Sequence, residues 1–119
     1  MKTLAPRFLL HTEGLAVLAG SCLLYRHLNG SWLMFALLFL VPDLSMAGYA
    51  AGTKTGAACY NLFHTYTVPL ALSATAYFTG AHLLLYISVI WVAHIGFDRM
   101  LGYGLKYGSG FKDTHLGKV

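Results

Sequence analysis

The stretch Ala81 to Arg99, AHLLLYISVIWVAHIGFDR, decides how the rest of the chain is read. From Ala81 to Ala93 only His82 and Ser88 interrupt an apolar run, which ends on His94-Ile95-Gly96-Phe97-Asp98-Arg99. A histidine and an aspartate four residues apart stack on one face of an α-helix, one turn from each other, so they can reach a common object. A run of this length is what crosses the ~30 Å of a bilayer's hydrocarbon, which places the pair where a membrane helix nears water. Hydrocarbon penalises ionisable groups by about 2.5 kcal/mol or more near its middle, so such a pair marks either function or a neutralised network.

The rest of the chain agrees with a membrane setting. It is 57% hydrophobic and 10% charged over 119 residues, whereas an ordinary soluble surface needs roughly a quarter of charged side chains. Apolar segments fall at about residues 7–24, 32–51, 55–78 and 81–98, followed by a tail at 99–119 in which Gly102, Gly104, Gly108, Gly110 and Gly117 argue against continued helix. The expected fold is therefore all-α: a single-domain four-helix transmembrane bundle with a glycine-rich cytoplasmic tail. Strand alternation is absent, which excludes a β-barrel. The first segment is read as a retained helix rather than a signal peptide, because the apolar run continues through Leu23-Leu24 and His11 and Glu13 interrupt it.

Orientation follows from the basic residues. Lys2, Arg7, Lys54, Arg99, Lys106, Lys112 and Lys118 fall on one side of a four-pass topology and Arg26 alone on the other, so both termini are predicted to be cytoplasmic, in an inner (cytoplasmic) membrane. The formal charge of +4 suits anionic lipid head groups rather than nucleic acid, for which no recognition motif is present. So small a bundle has little interior, which makes a homo-oligomer an expected partner arrangement. Cys22 and Cys59 are placed near opposite ends of the bundle and are expected to be free thiols.

Within the helices, Glu13 shares a face with Ala16, Val17 and Gly20, the small residues of a packing stripe, and is expected to point inward. Pro42 predicts a kink just before Asp43, and Pro69 a bend beyond the polar face Tyr60, Asn61, His64. Every acidic residue, Glu13, Asp43, Asp98 and Asp113, maps to the cytoplasmic half or tail, together with His64 and His94. Four helices thus bring ionisable groups to one layer.

Three chemistries suit that layer. One is a structural network of paired charges. A second is a metal site, with Asp43, His64, His94 and Asp98 as ligands for zinc, iron or manganese and Glu13 or Asp113 as the general base. Asn61, Arg99, Lys106, Lys112 and His115 would then hold an anionic or polar part of an amphiphilic, lipid-like substrate undergoing hydrolysis. The third is metal-free proton relay in an oligomeric transporter, beside which stands a non-enzymatic role as a subunit of a larger membrane complex. The spacing matches neither His-Glu-x-x-His nor the Glu-x-x-His repeats of carboxylate-bridged bundles. Gly102-Tyr103-Gly104 follows the last helix and lacks the Thr-Val of a potassium filter.

The strings Pro42-Asp43-Leu44-Ser45-Met46, Tyr60-Asn61-Leu62-Phe63-His64-Thr65-Tyr66, His94 through Tyr107 and Phe111-Lys112-Asp113-Thr114-His115 resemble the bacterial family catalogued as domain of unknown function 4260. The resemblance runs from about Trp32 to His115, while the first helix matches in character only, and Gly108 stands where the family carries proline. It implies a small integral membrane protein with polar signature residues Asp43, Asn61, His64, His94, Asp98, Arg99, Lys106, Asp113 and His115. No activity comes with it.

Overall fold

Two prolines set where the helices lose their regularity. The computed structural model describes residues 6–102, 104, 105 and 114. Its elements are α1 (Pro6–His27), α2 (Trp32–Leu38), a 3-10 segment (Val41–Ala51), α3 (Thr53–His64), α4 (Thr67–Thr79) and α5 (His82–Leu101). Pro42 has no N–H to offer the carbonyl of Leu38, so the α-helix begun at Trp32 cannot run through it unbroken. A kinked α-helix was the expectation; instead α2 stops, Asp43 N–H bonds to the Leu40 carbonyl at 3.0 Å, and the tighter winding persists for 11 residues. Runs of 3-10 helix beyond three or four residues are uncommon and often mark functional positions.

Pro69 acts on the third predicted segment. Its missing donor and its ring both fall on the carbonyl of residue 65, and there the chain leaves the helix, Thr65 taking the extended conformation φ −100°, ψ 146°. The single helix expected at about 55–78 is therefore two, α3 and α4, with Pro69 tolerated in the first turn of the second.

α5 is the axis of the molecule. Ser88 to Ile90, Val92 to Gly96 and Asp98 are buried along it. Its closest neighbour is α1, and glycines set their separation: a Cβ on Gly14 would lie 2.5 Å from the Met100 nitrogen, and one on Gly96 2.8 Å from the Leu18 nitrogen. Hydrocarbon offers no hydrophobic drive for helices to associate, so backbone approach through small residues does that work. This packing fixes the rotation of α1. Gly14, Ser21 and Tyr25 are buried and Glu13 is exposed, which corrects the expectation that Glu13 points inward. One residue is about 100° of rotation, enough to move a side chain from interface to exterior.

At the far end Tyr25 is fully buried, its hydroxyl donating to the Ser31 carbonyl at 2.6 Å and its ring edge-on to Trp32, Phe35 and Tyr86. Ser31 caps α2, accepting from Met34 N–H at 3.3 Å. Gly80, at φ 73°, closes α4 and returns the chain tightly into α5. The 3-10 segment and α3 form a separate hairpin, with Gly48 against Cys59 and Gly56 against the ring of Tyr49. Cys22 and Cys59 are free thiols.

The exterior is apolar. Phe78, Leu44, Leu33 and Leu37 are each at least 70% exposed, and the stretches Pro6–His27, Trp32–Ala51 and His82–Leu101 are long and apolar enough to cross a membrane. Exposed large apolar side chains occur on every one of these elements, which suits lipid as solvent. α3 and α4, split at 65–66, fall short of that length individually.

Candidate metal centre

α5 presents two candidate ligands on one stripe. His94 and Asp98 are separated by one turn, and the Nε2 of His94 lies 3.2 Å from Oδ2 of Asp98. Gly96, about 200° round the helix from both, faces α1, so the α1 contact and the ligand stripe occupy opposite sides of α5. Onto that stripe the hairpin brings Asp43 from the first turn of the 3-10 segment and His64 from the last residue of α3. His64 Nε2 is 3.2 Å from Asp43 Oδ1, 3.3 Å from Asp98 Oδ2 and 3.2 Å from His94 Nε2, and His94 Nε2 is 3.2 Å from Asp43 Oδ1. All four ligand atoms lie within 4.8 Å of one another.

Those spacings have a simple meaning. Ligands about 2.0–2.1 Å from a tetrahedral ion stand roughly 3.3 Å apart, the length found along five of the six edges. The donor set of two imidazoles and two carboxylates suits a borderline divalent ion. The Asp/His/His/Asp group can hold a metal ion. The side chains of His94, His64 and Asp98 are 0%, 3% and 11% exposed, and that of Asp43 is 33% exposed, so access is from the Asp43 side.

The electrostatics also call for a cation. His64 Nδ1 is 2.9 Å from the Tyr60 carbonyl, and since a carbonyl only accepts, Nδ1 carries the proton. In neutral His64, Nε2 then presents a lone pair to two carboxylates and to the other imidazole. A backbone carbonyl on the far nitrogen is the usual way to fix a metal-binding tautomer. For His94, Nδ1 is buried without a partner of standard geometry among the described residues, beside the Phe39 carbonyl freed where α2 ends. The rings are held as well as the nitrogens. Tyr60 stacks on His64 with centroids 3.8 Å apart and 6° between planes, and Phe39 meets His94 edge-on at 5.4 Å.

Breaking the helix after His64 leaves its last carbonyls without helical donors, and α5 supplies replacements. The indole Nε1 of Trp91 donates to the Phe63 carbonyl at 2.6 Å, and Nη2 of Arg99 donates to the His64 carbonyl at 3.0 Å. The Arg99 guanidinium also lies over the Tyr66 ring, 5.4 Å from its centroid. An apolar cavity of about 190 Å³ adjoins this region, lined by Leu38, Val41, Pro42, Phe63, Ile87 and Trp91. Pro42 and Phe63 each precede a ligand in the chain.

Of the residues singled out in the sequence, Asp43, His64, His94 and Asp98 are brought together. Glu13 is exposed on α1 and outside the group, Asn61 is half-buried on α3, and Arg99 is committed to backbone and ring. Lys106, Lys112, Asp113 and His115 lie outside the described residues, as does most of the glycine-rich tail. Sequence reasoning missed Trp91 and Phe39. Trp91 was within reach, since it precedes His94 by three positions on the same stripe and Pro69 announces carbonyls in need of donors.

The fold and site define a helical protein with membrane-length apolar helices and a buried His/Asp group able to hold a metal ion. The chain belongs to the family described as Domain of unknown function (DUF4260), whose sequence profile matches residues 7–119 and so takes in the first helix. Searches of curated proteins and of solved structures return no match.

Proposed function

We propose that this protein is an integral membrane hydrolase whose divalent metal is held by Asp43, His64, His94 and Asp98, and that it acts on an amphiphilic, lipid-like substrate. One observation carries the proposal: four ligand atoms from three elements meet at tetrahedral spacing with one imidazole already tied in the metal-binding tautomer. Zinc suits this spacing better than iron or manganese, which favour more ligands. When bound, such an ion acts as a Lewis acid and lowers the pKa of water.

The protein's own groups supply the rest. Asp43 is the most exposed ligand and can yield its place to water and accept a proton from it, with Asp113 of the tail as a second candidate base. The apolar cavity beside Pro42 and Phe63 offers room for a hydrocarbon tail. Lys106, Lys112 and His115 of the tail, with Asn61, are assigned to the polar head, and the proposed setting is a bacterial inner membrane with both termini cytoplasmic, as monomer or homo-oligomer.

Elemental analysis of detergent-purified protein beside a His94→Ala variant tests the metal. Stoichiometric zinc, iron or manganese in the wild type and its loss in the variant are expected; if neither carries metal, the hydrolase is refuted. Release of product from ester- and amide-linked amphiphiles, abolished by chelation and restored by metal, tests the reaction. The same acid and imidazole groups also support a proton- or cation-coupled transporter. Liposome flux that depends on Asp43, from protein without metal, would favour that alternative.

A further inference from the structure

We infer that Arg99 and Trp91 are positioning residues for the metal centre, and that they act by gripping the backbone on which His64 is mounted. The inference rests on the metal reading above and extends it to residues that touch neither ion nor substrate. His64 is the last residue of α3, and its neighbours beyond the break give it no helical support: Thr65 is extended and the next helical bonds start from Tyr66, whose carbonyl accepts Leu70 N–H at 3.0 Å. A ligand at a free helix end would swing with that end. Here the carbonyls of Phe63 and His64 are instead held by side chains of α5, at 2.6 and 3.0 Å.

The origin of those donors matters. Trp91, His94 and Asp98 fall on one stripe of α5 at intervals of three and four, with Arg99 next to it. The helix that supplies two ligands therefore also fixes the position of the third. Arg99 adds a positive charge at the C-terminal end of α3, where the helix dipole favours it, and its guanidinium is itself held against Tyr66. Pro69 makes the arrangement necessary, because a continuous helix would satisfy these carbonyls internally.

The test is cobalt titration of chelator-stripped, detergent-purified protein, read by the visible absorption of tetrahedral Co(II), with zinc competition giving affinity. Arg99→Met removes a charged donor and is expected to weaken binding about 10- to 100-fold and to reduce the tetrahedral band, at unchanged helix content. Arg99→Lys, which keeps a cationic donor, is expected to recover much of both. Trp91→Phe preserves the stack on Phe63, now at 5.5 Å, and removes only the indole N–H, for about a fivefold loss. This conservative variant decides the matter if Arg99→Met fails to fold. Wild-type affinity and spectrum in both Arg99→Met and Trp91→Phe, or in Trp91→Phe alone if the other is unfolded, would overturn the inference while leaving the centre intact. A wild type that takes up no cobalt or zinc refutes the centre itself.

Discussion

At the scale of single residues the centre is a problem in proton bookkeeping. His64 and His94 could bind a metal only as neutral imidazoles, so protons would compete with an ion at both. Zinc affinity is therefore expected to fall as the medium is acidified, more steeply than one proton would produce. Competition titrations at several pH values measure this, and an affinity independent of pH would rule out ligation by both histidines. Asp98→Asn keeps the shape of a ligand that is 11% exposed and removes its charge. It should weaken zinc far more than Glu13→Gln, because Glu13 is exposed on α1 and outside the group. The sequence placed His94 and Asp98 on one face for a physical reason: helical periodicity in an apolar run leaves two ionisable side chains four residues apart no face but a shared one. It misplaced Glu13, since charge says that a side chain needs company but not which way its helix is turned. The glycines at 14 and 96 settle that rotation, through contacts that exist only once both helices are in place.

At the scale of elements the two prolines and the glycine contacts are the devices that aim the ligands. A 3-10 helix advances about 120° per residue against 100° for an α-helix, so the winding after Pro42 determines the direction in which Asp43 emerges. Pro42→Ala restores a donor for the Leu38 carbonyl and permits α-helix through this point. It is expected to lower metal affinity although it removes no ligand, and an unchanged affinity would show that tertiary pairing with α3 sets the winding by itself. The α1 to α5 contact gives a cleaner comparison. Gly96→Ala places a Cβ 2.8 Å from the Leu18 nitrogen and 2.9 Å from the Gly14 carbonyl oxygen, backbone atoms that cannot step aside. Overpacking of this kind costs about 1–3 kcal/mol, seen as a lower thermal midpoint in detergent. Gly20→Ala, with nothing within 4 Å of the new Cβ, should be neutral or slightly stabilising, since alanine suits a helix interior better. Both prolines were legible as irregularities. The 3-10 winding was not, because it depends on a partner distant in sequence, and the break at 65–66 came earlier than expected because proline's penalty falls four residues upstream of its ring.

At the scale of the whole molecule the ion would act as a fastener between two bodies. α1, α4 and α5 pack through glycines and apolar side chains, and the 3-10 segment pairs with α3 through Gly48 and Gly56. Among the described residues, polar contacts between these bodies include the ligand group itself, Trp91 to Phe63 and Arg99 to His64. Two ligands come from each side, so an ion at the centre binds the folded arrangement and not the separated one. Linkage then requires stabilisation that grows with the logarithm of free metal, about 4 kcal/mol at a thousandfold excess over the dissociation constant. Without the ion two carboxylates and two imidazoles remain crowded in a low-dielectric pocket, which works against closure. Chelation of the wild type is accordingly expected to lower the thermal midpoint and to speed hydrogen exchange in the 3-10 segment and α3 more than in α1 and α5. His94→Ala should show the lower midpoint at the outset and no response to chelator. Equal protection loss in both bodies would mean that the molecule opens as one unit, and that the ion's role is confined to chemistry.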